Sequence, residues 1–113
     1  LYCDGLAGCD WLRMPPLDGP NEGDERTFNQ FVLRCGPGRD DLRAHLDARG
    51  IDTRSYYARP LPAEPIFANI PQPLGEWPSS QAACRDALAL PMGPGLTDDA
   101  IATVIGAVIS CPR

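Results

Sequence analysis

A chain of 113 residues with a net charge of −5 has room for one modest core, and its arginines are interspersed with acids, not gathered into the basic patch that nucleic-acid phosphates require. Its 11 glycines and 13 prolines commit much of it to turns and loops; no apolar run approaches the roughly 20 residues of a spanning helix, and no basic stretch followed by an apolar one opens it. These features exclude a nucleic-acid or membrane partner and predict one folded but loop-rich domain over residues 1–113, in the cytoplasm.

Leu1 to Leu6 is too short to classify alone but fits the last turn of a helix whose body precedes the first residue. Because Leu1 is not an initiator methionine the chain is either processed or cut from something longer, and the absence of lysine makes the second the expectation. Trp11 to Met14 reads as a short strand closed by Pro15 and Pro16, and residues 17–27 as an exposed loop, the segment expected to move most. Phe28 to Cys35 alternates like a strand. Phe28, Gln30, Val32 and Arg34 share one face, while Asn29, Phe31, Leu33 and Cys35 share the more apolar one that should meet the core. Gly36-Pro37-Gly38 ends it, and Arg39 to Arg49 reads as a helix stopped by Gly50, with Leu42 and Leu46 buried and Arg43 placed to pair with Asp47. Thr53 to Tyr57 is rich in strand-favouring residues, which completes a strand-helix-strand order. Six prolines between Pro60 and Pro78 forbid a helix or a central strand there, leaving a long traverse. Pro78 suits the first turn of a helix running to about Arg85, followed by apolar Ala87 to Leu90. The last helix is the clearest, with Thr97 as N-cap, Asp98 and Asp99 at its positive end, and a stripe of Ile101, Val104, Ile105, Val108 and Ile109. The order predicts an α/β sandwich, one small antiparallel or mixed sheet with helices packed on it.

The residues that could carry chemistry are few. All ten side chains of the lysine and arginine class are arginine, and a guanidinium stays protonated and cannot form a Schiff base. The five cysteines lie scattered without a Cys-x-x-Cys pair beside a single histidine, so they read as small buried residues and not as a metal site or disulfide framework. Asp40-Asp41 and Asp98-Asp99 look like paired carboxylates, but both pairs fall in the first turn of a predicted helix, where dipole stabilisation accounts for them. His45 flanks a helix beside Leu42 and Leu46 and reads as an edge-of-core residue. The only dense arginine and aromatic cluster is Arg54, Tyr56, Tyr57 and Arg59, suited to grip a diphosphate or carboxylate and stack a ring. Its competing reading is a strand with core aromatics on one face and solvated arginines on the other.

Three segments carry a family resemblance. Arg39-Asp40-Asp41-Leu42 through Leu46 to Gly50-Ile51 resembles the Arg-Asp-x-Leu…Leu…Gly-Ile segment of the DegT/DnrJ/StrS sugar aminotransferases. Leu90-Pro91-Met92 through Leu96-Thr97-Asp98 looks like that family's Leu-Pro-Met…Leu-Thr-Asp segment, and Trp77-Pro78-Ser79-Ser80-Gln81 like its aromatic-Pro-x-Ala-Glu helix start. Order and spacing agree over residues 28–110, with 1–27 as a loop-rich leading segment. The resemblance implies the C-terminal small domain of a fold-type-I enzyme that uses pyridoxal phosphate to aminate a keto-sugar nucleotide. It also implies that the cofactor lysine, phosphate cradle and pyridine-binding acid lie in a missing N-terminal large domain, and that the complete enzyme is a homodimer. No cofactor is then expected on this chain alone.

The family segment that usually faces the pocket reads His-Tyr-Pro-x-Pro-Leu-His; here it is Tyr56-Tyr57-Ala58-Arg59-Pro60-Leu61-Pro62, with both histidines replaced. Arg54, Tyr56, Tyr57 and Arg59 are accordingly the candidate substrate-binding residues, with no catalytic, cofactor or metal residue assigned. The alternative is a stand-alone, non-catalytic module of this fold that binds a partner protein, and a third option is one half of a split enzyme.

Overall fold

Two short apolar runs pair at the centre of the molecule. The computed structural model describes the chain except residues 20, 22, 25, 71–76 and 113. Strand β1 (Phe31–Arg34) lies antiparallel to β2 (Ala87–Leu90), with Phe31 opposite Leu90 and Leu33 opposite Leu88. One isolated bridge flanks each outer edge, Arg13 to Arg34 beside β1 and Arg54 to Ala89 beside β2. Around this sheet stand α1 (Tyr2–Gly5), α2 (Arg39–Asp47), α3 (Pro78–Asp86) and α4 (Asp98–Ile109), with single 3-10 turns at Gly36–Gly38, Leu61–Ala63 and Pro65–Phe67. The architecture is α/β, a small antiparallel sheet with helices packed on it, as the order of elements predicted.

Side-chain alternation divides the sheet into two faces. Phe31, Leu33, Leu88 and Leu90 enter one core with Tyr2 and Leu6 of the first segment, Leu42 and Leu46 of α2, and Val104, Ala107 and Val108 of α4. Leu6, Leu33, Leu42, Leu46, Leu88 and Val108 are fully buried, and each such side chain contributes about 1.5–3 kcal/mol relative to exposure. The opposite face carries Val32, Arg34, Ala87 and Ala89 and is flanked by α3.

The helices start and stop for local reasons. Gly50 adopts φ 71°, and behind it Gly50 N–H bonds Asp47 O at 2.9 Å while Ile51 N–H bonds Leu46 O at 3.0 Å, the paired closure that a left-handed glycine permits. The Thr97 hydroxyl accepts from Ala100 N–H at 3.2 Å and caps α4. His45 ties α2 to α4, its Nε2 lying 3.0 Å from Ala107 O. A carbonyl only accepts, so Nε2 carries the hydrogen and Nδ1 accepts from Arg49 Nη1 at 3.1 Å. Gly5 lets α1 approach α4 closely, since a Cβ there would stand 2.6 Å from Ile105 Cδ1.

Several sequence expectations are corrected. The strand expected over Phe28 to Cys35 is regular only from Phe31 to Arg34, because its partner β2 is bounded by the end of α3 and by Pro91. Trp11 to Met14 contributes one bridge, not a strand. The strand expected over Thr53 to Tyr57 likewise keeps one rung, in which Arg54 N–H bonds Ala89 O at 3.1 Å and Ala89 N–H bonds Arg54 O at 2.8 Å. In regular antiparallel pairing Tyr56 would meet Ala87 next. Instead, the Ala87 carbonyl accepts from Ser55 Oγ at 3.3 Å and Arg39 Nη1 at 3.4 Å. On α4, Ile109 is 57% exposed while Ala107 is buried; at roughly 100° per residue the buried arc centres on Val104, Ala107 and Val108, and Ile109 falls past its edge. Arg43 and Asp47 are both exposed and form no ion pair among the described residues.

Candidate functional site

The single rung at Arg54 decides where the arginine and aromatic cluster goes. As the chain leaves β2 after Arg54, Tyr56 and Tyr57 turn outward, 51% and 77% exposed, so the competing reading of core aromatics is overturned. Arg54, Tyr56 and Tyr57 then share a cleft of about 170 Å³ on the outer face of the sheet with Gln30, Val32, Ala83, Cys84 and Ala87. Arg54 and Tyr56 also border a second cleft of about 300 Å³ with Asn29, Gln30 and Asp52. Gln30 belongs to both. The alternation of Phe28 to Cys35 had put Gln30 and Val32 on this face without marking them as site residues, and the half-buried Cys84 enters from α3, which sequence spacing alone does not bring near residue 56.

The electrostatics are those of a paired, solvated wall. Arg54 Nη2 sits 2.7 Å from Asp52 Oδ2, with both side chains mostly exposed, so the pair contributes little to stability while leaving guanidinium N–H groups free to turn toward a ligand. Arg59 is separate. It borders neither cleft and pairs with Glu64 at 3.7 Å. Three of the four predicted site residues are thus brought together and the fourth is not.

Beneath the wall is a buried clasp. Arg39, its side chain 14% exposed, donates from Nη1 to Ser55 Oγ at 2.6 Å, and Ser55 Oγ lies 3.3 Å from the Ala87 carbonyl. Arg39 Nε stands 2.6 Å from Asp40 Oδ1, close enough for an ion pair but not aligned as a hydrogen bond.

A third cleft, about 440 Å³ and mostly apolar, lies on the core side, between α1 and the loop after β2; Leu1, Leu17 and Met92 on its wall are well exposed. Among the described residues no group of three metal-ligating side chains occurs, and no helix is long and apolar enough to cross a membrane. None of the five cysteines is in a disulfide; Cys35 and Cys111 are buried as expected, whereas Cys3, Cys9 and Cys84 are only half-buried. The pairs Asp40-Asp41 and Asp98-Asp99 occupy the first turns of α2 and α4. The pyridoxal phosphate implied by resemblance does not fit these residues: the chain has no lysine to hold it, and Gly36-Pro37-Gly38 forms a 3-10 turn feeding α2, not a long phosphate-cradling loop.

Fold and wall together describe a small α/β module with one polar, aromatic face. The sequence model of the DegT/DnrJ/EryC1/StrS aminotransferase family matches residues 1–109, and the chain belongs to that family. It is 37% identical over 107 residues to the dTDP-3-amino-3,4,6-trideoxy-alpha-D-glucose transaminase of Streptomyces venezuelae, covering 95% of this chain and 27% of that protein. It is 40% identical over 82 residues to a Geobacillus stearothermophilus protein named a pleiotropic regulatory protein, covering 71% of this chain and 22% of that one. The crystal structure of S. venezuelae DesV in complex with a ketimine intermediate superposes with a TM-score of 0.81 at 37% identity, covering 95% of this chain and 28% of that one. The chain thus spans about a quarter of the length of the relatives it matches.

Proposed function

We propose that residues 1–113 are the C-terminal small domain of a pyridoxal-phosphate aminotransferase acting on a keto-sugar nucleotide, inactive without the rest of the enzyme. The observation that carries this reading is the family match over residues 1–109 in a chain that contains no lysine. The cofactor supplies the electron sink when bound, and in this reading an N-terminal large domain holds it. This chain's part is substrate binding. Arg54 offers forked N–H donors to a diphosphate, Tyr56 and Tyr57 offer ring faces and hydroxyls, and Arg59 stands further along the same segment. The transaminase relative, whose name specifies a dTDP-sugar, supports a sugar nucleotide as the ligand class. The complete enzyme is read as a cytoplasmic homodimer.

The test is direct. The purified chain is incubated with pyridoxal phosphate, reduced with borohydride and weighed by mass spectrometry; no stoichiometric adduct and no turnover of an amino donor are expected. Tight one-to-one uptake with turnover would overturn the reading.

A second reading, a non-catalytic module that binds a partner protein, draws support from the apolar cleft bordered by Leu1, Leu17 and Met92. The coding sequence separates the two. An in-frame upstream region encoding a cofactor lysine supports the first, and a start codon adjoining Leu1 the second.

A further inference from the structure

We infer that Arg39 is a positioning residue for the wall formed by Arg54, Tyr56 and Tyr57, holding the chain off the sheet at the point where the tyrosines turn outward. The inference rests on the substrate-wall reading for its functional meaning, but its physical content stands on geometry alone. Ala87 and Ala89 point their backbone groups at the same edge of β2. Ala89 uses both on Arg54, at 3.1 and 2.8 Å. The Ala87 carbonyl, which Tyr56 N–H would take in a continuing ladder, receives Ser55 Oγ at 3.3 Å and Arg39 Nη1 at 3.4 Å, and Arg39 Nη1 also donates to Ser55 Oγ at 2.6 Å.

One guanidinium therefore closes a three-membered clasp between the start of α2, the residue between Arg54 and Tyr56, and the last open acceptor of the β2 edge. Arginine suits this position because its fork presents several N–H groups at fixed angles, and it keeps its charge when buried. The clasp substitutes side-chain donors for a backbone rung. Without it, either Tyr56 N–H pairs with Ala87 O and draws the tyrosines onto the sheet edge, or the segment frays; in both cases the wall loses its geometry while the core of Leu33, Leu88 and Val108 is untouched.

The experiment uses the 113-residue chain. Backbone amide exchange is measured by NMR for Arg39→Gln, Arg39→Lys and Ser55→Ala, with Leu33 and Leu88 amides as reporters of global stability. In Arg39→Gln and Ser55→Ala the exchange rates at Arg54 and Tyr56 should change by about fivefold or more relative to Leu33 and Leu88, the scale of one net hydrogen bond. Arg39→Lys, which can still reach Ser55 with one donor, should fall between. Unchanged rates at Arg54 and Tyr56, or a change that only follows the core amides, overturns the inference. Ser55→Ala keeps the test valid if the Arg39 variants fail to fold. Adding dTDP to the complete enzyme separates the two claims: no shift of Tyr56 or Tyr57 resonances counts against the substrate wall, whereas the exchange data alone decide the clasp.

Discussion

Tyr2 joins two parts of the chain that are 89 residues apart. Its hydroxyl donates to Pro91 O at 2.9 Å and its ring stacks on Phe31 with centroids 5.0 Å apart. Burial pushes its phenol above the ordinary value of 10.0, because the anion loses solvation and a phenolate cannot donate to a carbonyl. The unfolded chain therefore ionises first, so the stability Tyr2 contributes is complete below pH 10.0 and declines as the pH rises through its folded value. Tyr2→Phe should lower stability by about 1 kcal/mol at neutral pH, and thermal melts across the alkaline range should show the two proteins converging above pH 10.0. A gap that stays constant would contradict the proposed linkage. Arg54 makes the functional counterpart. On the substrate-wall reading proposed above, Arg54→Ala in the complete enzyme should raise KM for a sugar nucleotide by about tenfold, the size of one charge-assisted hydrogen bond, with kcat little changed; steady-state kinetics decide it.

Helix α4 gives predictions of opposite sign within one element. Thr97→Ala removes the cap on Ala100 N–H and should cost about 1 kcal/mol. Gly106→Ala should add roughly 0.5–1 kcal/mol, since helix propensity favours alanine and a Cβ at Gly106 meets nothing within 4 Å. Urea titrations of both variants check the pair. This helix was legible in the sequence because cap, acids and apolar period all lie within it. So was α2, whose Gly50 stop, Leu42 and Leu46 behave as the pattern implied. The strands were less legible. Phe28 to Cys35 alternates well beyond the length over which it pairs, because strand length belongs to the partner, and β2 is four residues long. The cluster at 54–57 was visible as composition, but its exposure was not, since that depends on Arg39 and Ser55 claiming the Ala87 carbonyl. Cys84 and Gln30 were hidden as neighbours of Tyr56 for the same reason.

At the scale of the molecule, a core built from one sheet face, α1, α2 and α4 is enough to define the fold, while the outer face is left to α3 and the Arg54 wall. That asymmetry agrees with the small-domain reading proposed above for a chain that spans about a quarter of the length of its relatives. The two lone bridges have a consequence of their own. Each flank of the sheet ends in a single rung, and the residue holding it is an exposed arginine, Arg13 on one side and Arg54 on the other. A second molecule approaching either flank meets a charged side chain, at Arg54 one paired with Asp52, of the kind that blunts edge-to-edge strand pairing. Replacing both with valine should raise thioflavin-positive fibril formation on prolonged incubation above that of the unchanged chain, the outcome expected if these guanidiniums guard the sheet's margins against uncontrolled growth.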